Sequence, residues 1–276
     1  MRRGGWCRVH DLHRRTRYRR LGKLRCSRSG PLSASWPVYR FEEIDSTNTE
    51  AKRRAGSSGR FDDQWIVAAS QSAGRGRQDR VWSSPVGNIF TTALFAEPGG
   101  IPVALRIPFA AAMAVVDTVR TFAPDAPVKV KWPNDVRIAR QKVSGILVET
   151  GGAGADLWIA AGTGINVAYV PDNVGQAATS LNLLSGQSLE TEKVLGAYHS
   201  AFEARLAQAR RGFESLRQDW LDYAEGREQE VSVRVGDVFV EGVFEDLEAD
   251  GALRLRLPDG SARIIRAGEV SLIGQA

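Results

Sequence analysis

Gln71-Ser-Ala-Gly-Arg-Gly-Arg-Gln-Asp-Arg-Val-Trp82 is the densest polar, Gly-rich segment of the chain. Gly74 and Gly76 alternate with Arg75 and Arg77, and Arg80 follows closely. Glycines let backbone N–H groups approach an anion, and guanidinium forks grip phosphate or carboxylate bidentately. The segment is neither a Walker loop nor a G-x-G-x-x-G loop, because the Lys-Ser/Thr ending and the third Gly are absent. It reads as an anion-binding loop or, alternatively, as an Arg-rich surface turn.

Strands flank it on both sides. Trp65–Ser70 precedes it as a buried strand and Gly87–Phe95 follows it. Upstream, Val38–Ile44 is a strand, and Thr47-x-x-Glu50 forms a capping box that opens a short helix, Asn48–Ala55, stopped at Gly56. Downstream, Ile101–Ala123 is mostly apolar, helical at least from Pro108, and stopped at Pro124. Val128–Trp132 alternates apolar residues with Lys129 and Lys131 as a half-buried strand. Val143–Thr150 and Leu157–Val167 form a hairpin across Gly-Gly-Ala-Gly-Ala-Asp. A helix or helix pair fills Thr191–Ala224, with Leu195, Tyr198, Phe202 and Leu206 on one face. After Gly226 the pattern becomes short alternating strands, Val231–Leu272, with turn signals at Gly236-Asp237, Ala249-Asp250-Gly251 and Pro258-Asp259-Gly260. That predicts a small β-barrel as a second domain.

The chain has 276 residues, 43% hydrophobic and 25% charged, which is ordinary globular composition. No apolar run reaches the ~18 residues of a membrane-spanning helix, and on that reading a membrane protein is ruled out. The net charge of +5 hides an asymmetry. Residues 1–37 hold ten Arg and Lys23 against Asp11, a net of +10, so residues 38–276 carry −5. The basic pI therefore belongs to the N-terminal arm and is no nucleic-acid footprint of the body. The arm lacks apolar periodicity and an apolar h-region, so it is not a secretory signal. A disordered extension (one from an upstream start codon included), a transit peptide and a basic nucleic-acid arm all fit its composition; residues 1–37 are treated as disordered. Cys7, Cys26, His10 and His13 lie in the arm, leaving His199 alone in the body. This excludes cysteine nucleophiles, disulfide frameworks and Cys/His zinc sites from the body.

Two further constellations could carry chemistry. Lys131-Trp-Pro-Asn134-Asp135 places oxygen ligands for Mg²⁺ at a strand end, with Lys142-Val-Ser-Gly145 close behind. Asn-Asp after Pro is also an ordinary turn, and Lys142 alone an ordinary surface lysine. Gly162-Thr-Gly-Ile165-Asn166 interrupts a strand with glycines, signalling close approach of a ligand or a β-bulge. Together these segments supply cations and a carboxylate but no protein nucleophile. That suits a reaction in which a substrate carboxylate attacks the α-phosphate of ATP, needing alignment and charge neutralisation but no general base.

Glu43-Ile-Asp-Ser-Thr-Asn48, Gln71-x-x-Gly-Arg-Gly-Arg77 with Arg80-x-Trp82, Lys131–Asp135, Lys142-x-x-Gly-Ile-Leu-Val-Glu149, Gly162-x-Gly-Ile-Asn166 and Gly268-Glu-Val-Ser-Leu272 occur in the order found in biotin protein ligases. The resemblance covers residues 38–273. It implies an α+β fold: a catalytic domain at 38–226 with a mixed sheet and flanking helices, similar to class II aminoacyl-tRNA synthetases, and an SH3-like barrel at 227–276. It implies a cytoplasmic enzyme whose substrates are biotin, ATP with Mg²⁺, and a lysine of a biotin carboxyl carrier domain of a carboxylase, with no DNA or membrane partner.

By the same resemblance, Ser46, Thr47 and Gln71 bind biotin's ureido end, with the backbone near Arg75 and Gly145, and Asn48, Gly74, Gly76 and Gly164 also belong to the substrate site. Trp82 and Ile165 wall the biotin ring. Arg77, Arg80 and Lys142 are the catalytic cations, and Lys131, Asn134 and Asn166 hold nucleotide beside them. Asp135 is the candidate Mg²⁺ ligand. Two departures stand out. Asp79 occupies a usual Gly position, where a left-handed turn is tolerated by Asp but an acid is set beside the loop. Ile273 stands where the family often has Arg. A lipoate-type ligase of the same fold is disfavoured by the Gly-Arg-Gly-Arg loop and the Lys-Trp-Pro-Asn-Asp segment. An octanoyl transferase of this fold is expected to use a Cys, and the body has none; nucleic-acid binding through the arm is undercut by the body's charge, and a non-catalytic relic rests on Asp79 alone.

Overall fold

The computed structural model describes residues 25–26, 36–58, 61–171 and 176–273. The sequence reading of the arm therefore falls almost wholly outside the described residues. The exceptions are β1 (Arg25–Cys26), which pairs antiparallel with β2 (Val38–Ile44), and Trp36–Pro37, where Trp36 packs against Trp65 and Phe95 and so departs from the disordered reading.

Alternating and wholly apolar runs build an eight-stranded mixed sheet in the order β1-β2-β3-β4-β8-β7-β6-β5. Its remaining strands are β3 (Gln64–Gln71), β4 (Ile89–Ala96), β5 (Val128–Lys131), β6 (Asp135–Ile138), β7 (Gln141–Gly151) and β8 (Trp158–Ile165). Only β2 and β3 are parallel, joined by the crossover helix α1 (Thr47–Ser58). Helix α1 covers one face, where Ala51 and Ala55 pack with Phe41, Ile66, Leu94 and Ala160. On the other face lie α2 (Ile101–Ala104), α3 (Ile107–Phe122), α5 (Thr191–Arg211) and α6 (Glu214–Tyr223), with the short α4 (Leu181–Ser185) leading in.

Three sequence expectations shift here. The apolar stretch from Ile101 breaks into α2 and α3, and α3 starts one residue before Pro108, as suits a residue without an N–H in the first turn. Segment Ile101–Phe122 is, by length and composition, apolar enough to cross a membrane, contrary to the run-length reading; 67% of its most apolar window is buried inside the protein. It is the central core helix, whose run Ala110–Ala112 is fully covered. Thr47-x-x-Glu50 does not close as a capping box. Thr47 sends both its N–H and its hydroxyl to Gln71 Oε1, at 2.9 and 3.2 Å, while Glu50 pairs with Arg53 and Arg54.

The C-terminal strands β9 (Glu230–Val235), β10 (Val238–Leu247), β11 (Leu253–Arg256), β12 (Ala262–Ile265) and β13 (Glu269–Leu272) form an antiparallel sheet in the order β12-β11-β10-β9-β13. Among the described residues no pairing joins β12 to β13, so the sheet is an open series and not a closed barrel. Its buried face, with Val231, Val233, Phe244 and Leu255, belongs to the same hydrophobic cluster as α3, α5 and α6. Trp132 Nε1 donates to Gly251 O across the junction at 3.1 Å. A Cβ on Gly251 would come within 2.5 Å of the Phe109 ring, and its φ of +80° is the left-handed region glycine favours.

Candidate active site

Strand ends and the segment between β3 and β4 enclose a cavity of about 780 Å³. Its closed end is made by the start of α1 and the end of β3. Gln71 is fixed there: Oε1 accepts from Thr47, and Nε2 donates to Ser84 Oγ at 2.9 Å. Ser84 in turn donates to Trp82 O at 2.9 Å. Ser46, Thr47 and Asn48 are each buried and face the same space.

Residues 74–82 form a narrow arch. Gly76 N donates to Arg80 O, Trp82 N donates to Gly74 O, and Arg75 bridges Val81. A single turn of 3₁₀ helix, Arg77–Asp79, caps it. The left-handed residue is Gln78 (φ 55°), not the neighbouring Asp79, whose side chain lies outside the described ones. Gly74 is required by packing: a Cβ there would meet Trp82 O at 2.4 Å and Ser84 Oγ at 2.5 Å.

The arch folds Trp82 over the sheet. Gly145 on β7 and Gly164 on β8 are register partners, and a Cβ on either would come within 2.6 Å of the Trp82 ring. Lys142 Nζ lies 5.1 Å from the ring centroid on β7. It is also 2.7 Å from Asp135 Oδ1, an ion pair of two mostly buried side chains. Around this pair stand Lys131, Asn134 and Arg77, with Arg77 Nη1 donating to Asn134 Oδ1 at 3.3 Å. Burial lowers the pKa of Lys131 and of Arg77, more than Asp135 and Glu269 raise them. Half-desolvated cations of this kind gain most from a polyanion in the cavity.

Sixteen of the eighteen residues named from the sequence line this cavity; Gly74 and Ile165 do not. Ile165 is 0% exposed and belongs to the core beneath the sheet. Strand alternation explains it: Gly162 and Gly164 face Asn48 and Trp82, so Thr163 and Ile165 face the helices, where Thr163 meets Tyr198 at 2.6 Å. Asn166 lines the cavity, but its amide is spent on Lys142 O and Thr179 O, holding the strand after Arg140 to the approach of α4. Two acids were quoted in motifs without a role. Glu269 reaches in from β13, pairing with both Arg80 and Arg234, and Glu149 on β7 pairs with Arg75. Motif order carried both; only the tertiary pairing shows what they touch.

Asp135 Oδ1 is buried without a hydrogen-bond partner, Lys142 being close but not aligned. Among the described residues no three His, Cys, Asp or Glu gather. One carboxylate with a spare oxygen fits an ion that arrives on phosphates, as Mg²⁺ does, and does not fit a resident ion in a protein cage.

The profile of the Biotin/lipoate A/B protein ligase family matches residues 40–166, and that of the Biotin protein ligase C terminal domain matches residues 228–273. A biotin--[acetyl-CoA-carboxylase] ligase of Paracoccus denitrificans is 37% identical over 82% of this chain and 96% of its own length. Its counterpart in Mycobacterium tuberculosis is 30% identical over 83% of this chain and 86% of its own. Among solved structures, the biotin protein ligase of Aquifex aeolicus in complex with biotin and ATP superimposes with a TM-score of 0.71 at 25% identity, covering 85% of this chain and 97% of that one. The chain belongs to the biotin protein ligase family.

Proposed function

We propose that this chain is an ATP-dependent biotin protein ligase, which activates biotin as biotinyl-5′-AMP and passes the biotinyl group to a lysine of a carrier domain. One observation carries the reading. A single cavity joins a closed end of neutral hydrogen-bonding groups, Thr47 and Gln71, to an open end holding Lys142, Lys131, Arg77 and Arg80, with Trp82 lying between. The neutral end suits the ureido group, the Trp82 and glycine floor suits the ring, and the cationic end suits a carboxylate beside a triphosphate.

In the first step a biotin carboxylate oxygen attacks the α-phosphorus and the bond to the β-phosphate breaks, releasing pyrophosphate. The carboxylate is already ionised, so the residues supply alignment and charge. Lys142 would contact the carboxylate and the α-phosphate, and Arg77, Arg80 and Lys131 would offset the triphosphate; all four line the one cavity. Asn134 anchors Arg77 and also donates to Ile146 O at 2.9 Å, so the phosphate end is tied to β7. Asp135 is the residue that would hold Mg²⁺ brought by ATP, which would supply further charge neutralisation. In the second step the acceptor lysine amine attacks the acyl carbon and AMP leaves.

The acetyl-CoA-carboxylase named for the relatives points to a biotin carboxyl carrier domain as acceptor. The class II synthetase-like assignment of the large sheet, the SH3-like assignment of the small one, and domain limits at 38–226 and 227–276 belong to this reading. Incubating the chain with ATP, Mg²⁺, labelled biotin and an isolated carrier domain tests it: label is expected on one acceptor lysine. Label that requires no ATP, or none with ATP present, contradicts it.

A further inference from the structure

Glu149 lies outside the cavity lining yet is tied to two of its walls. Its Oε2 accepts from Asn48 Nδ2 at 3.0 Å and from Arg75 Nη2 at 2.8 Å, and its Oε1 accepts from Lys52 Nζ at 3.0 Å. Asn48 is 4% exposed and also donates to Leu147 O at 3.0 Å. Thr92 Oγ1 lies 2.7 Å from Asn48 Oδ1 and 2.8 Å from Thr47 Oγ1. Thr47 leads to Gln71, Gln71 to Ser84, and Ser84 to Trp82 O. The arch at 74–82 is thus held at both feet: Arg75 directly by Glu149, and Trp82 at the far end of the same chain of bonds.

Asn48 fills the space that the lack of a side chain at Gly162 leaves, since a Cβ there would come within 2.0 Å of its Oδ1. Burial pushes the Glu149 carboxyl up, but the hydrogen bonds from Lys52 and Asn48 and the Arg75 charge outweigh it and hold the group below its ordinary range. A plain surface ion pair would involve Lys52, whose side chain is 43% exposed, and would contribute little. It would have no reason to join the arch to the closed end.

We propose that Glu149 is a positioning residue for biotin, fixing Arg75 and Asn48 so that the backbone at 74–76 and the Gln71 amide are held where the ligand meets them. The inference rests on the ligase reading above. Contacts that favour the binding arrangement of the arch lower the free energy lost in ordering it, so the effect belongs in biotin affinity and not in the chemical step.

The test compares the full chain with Glu149→Gln, which keeps the shape and one acceptor for Asn48 but removes the charge that holds Arg75. In biotin-dependent ATP–pyrophosphate exchange, the KM for biotin is expected to rise about tenfold while kcat changes less than about threefold. Protection of the bonds after Arg75, Arg77 and Arg80 from trypsin should need about tenfold more biotin in the variant than in wild type. Lys52→Met should keep the wild-type KM, since only the outer partner is lost. In an Arg75→Met background, Glu149→Gln should add little, as for two members of one contact. If Glu149→Gln fails to fold, Arg75→Met carries the same expected rise. A biotin KM within about twofold of wild type, or an equal rise in Lys52→Met, overturns the proposal. Exchange by the wild-type chain checks the ligase reading separately, and trypsin protection is read without turnover.

Discussion

Lys142 faces a carboxylate, an aromatic ring and the cationic end of the cavity at once. Its removal should be felt in chemistry more than in binding: Lys142→Ala is expected to slow biotin adenylation by more than tenfold, over ~1.4 kcal/mol of barrier, as read by pyrophosphate exchange. Gly164→Ala tests the floor. The added methyl would sit 2.5 Å from the Trp82 ring, so the indole must move, and biotin binding measured by calorimetry should weaken at least about tenfold. At this scale the residue types were legible from the sequence, because an adenylating site needs cations, glycines and a carboxylate in known company. Sides of strands were less so. Ile165 reads like a ring wall in its motif, and only pairing with β7 shows that it points into the core. Glu149 and Glu269 were visible as letters but not as contacts, since each acts across more than 70 residues of chain or from another sheet.

Helix α5 carries the one histidine of the body against β3. His199 stacks on Trp65 at 3.8 Å and bonds Thr91 through Nε2 at 3.0 Å. Burial, helped by the Arg40 charge, drops its pKa from 6.5 to about 3. The folded protein therefore refuses a proton that the unfolded chain accepts below pH 6.5. Stability from this group is whole above pH 6.5 and is lost as pH falls toward 3, by up to about 1.4 kcal/mol per pH unit. Urea unfolding across that range should show a shallower acid decline for His199→Gln than for wild type; parallel declines would contradict it. Element positions followed from periodicity, and Leu195, Tyr198, Phe202 and Leu206 are all buried as spaced. The cap of α1 was misread because Thr47 has a stronger claim on its hydroxyl from Gln71, 24 residues away, than local capping rules can register.

The two sheets share one core. The change of pattern after Gly226 was visible in the sequence, but its apolar residues gave no sign that Phe244 would pack near Trp220, or that Trp132 would bond Gly251. A chain cut after Gly226 should expose the Phe109, Trp132 and Trp220 side of the large unit, and is expected to aggregate or to unfold without cooperativity in thermal denaturation. Arg80 and Glu269 extend the same union to the site, where the small sheet supplies an acid to the arch. The central claim is that this joined cavity adenylates biotin. ATP–pyrophosphate exchange by the full chain, with biotin, lipoate, octanoate or no acid added, tests it most directly. The account predicts exchange with biotin alone; exchange driven by lipoate or octanoate, or none with biotin despite its binding, would contradict it.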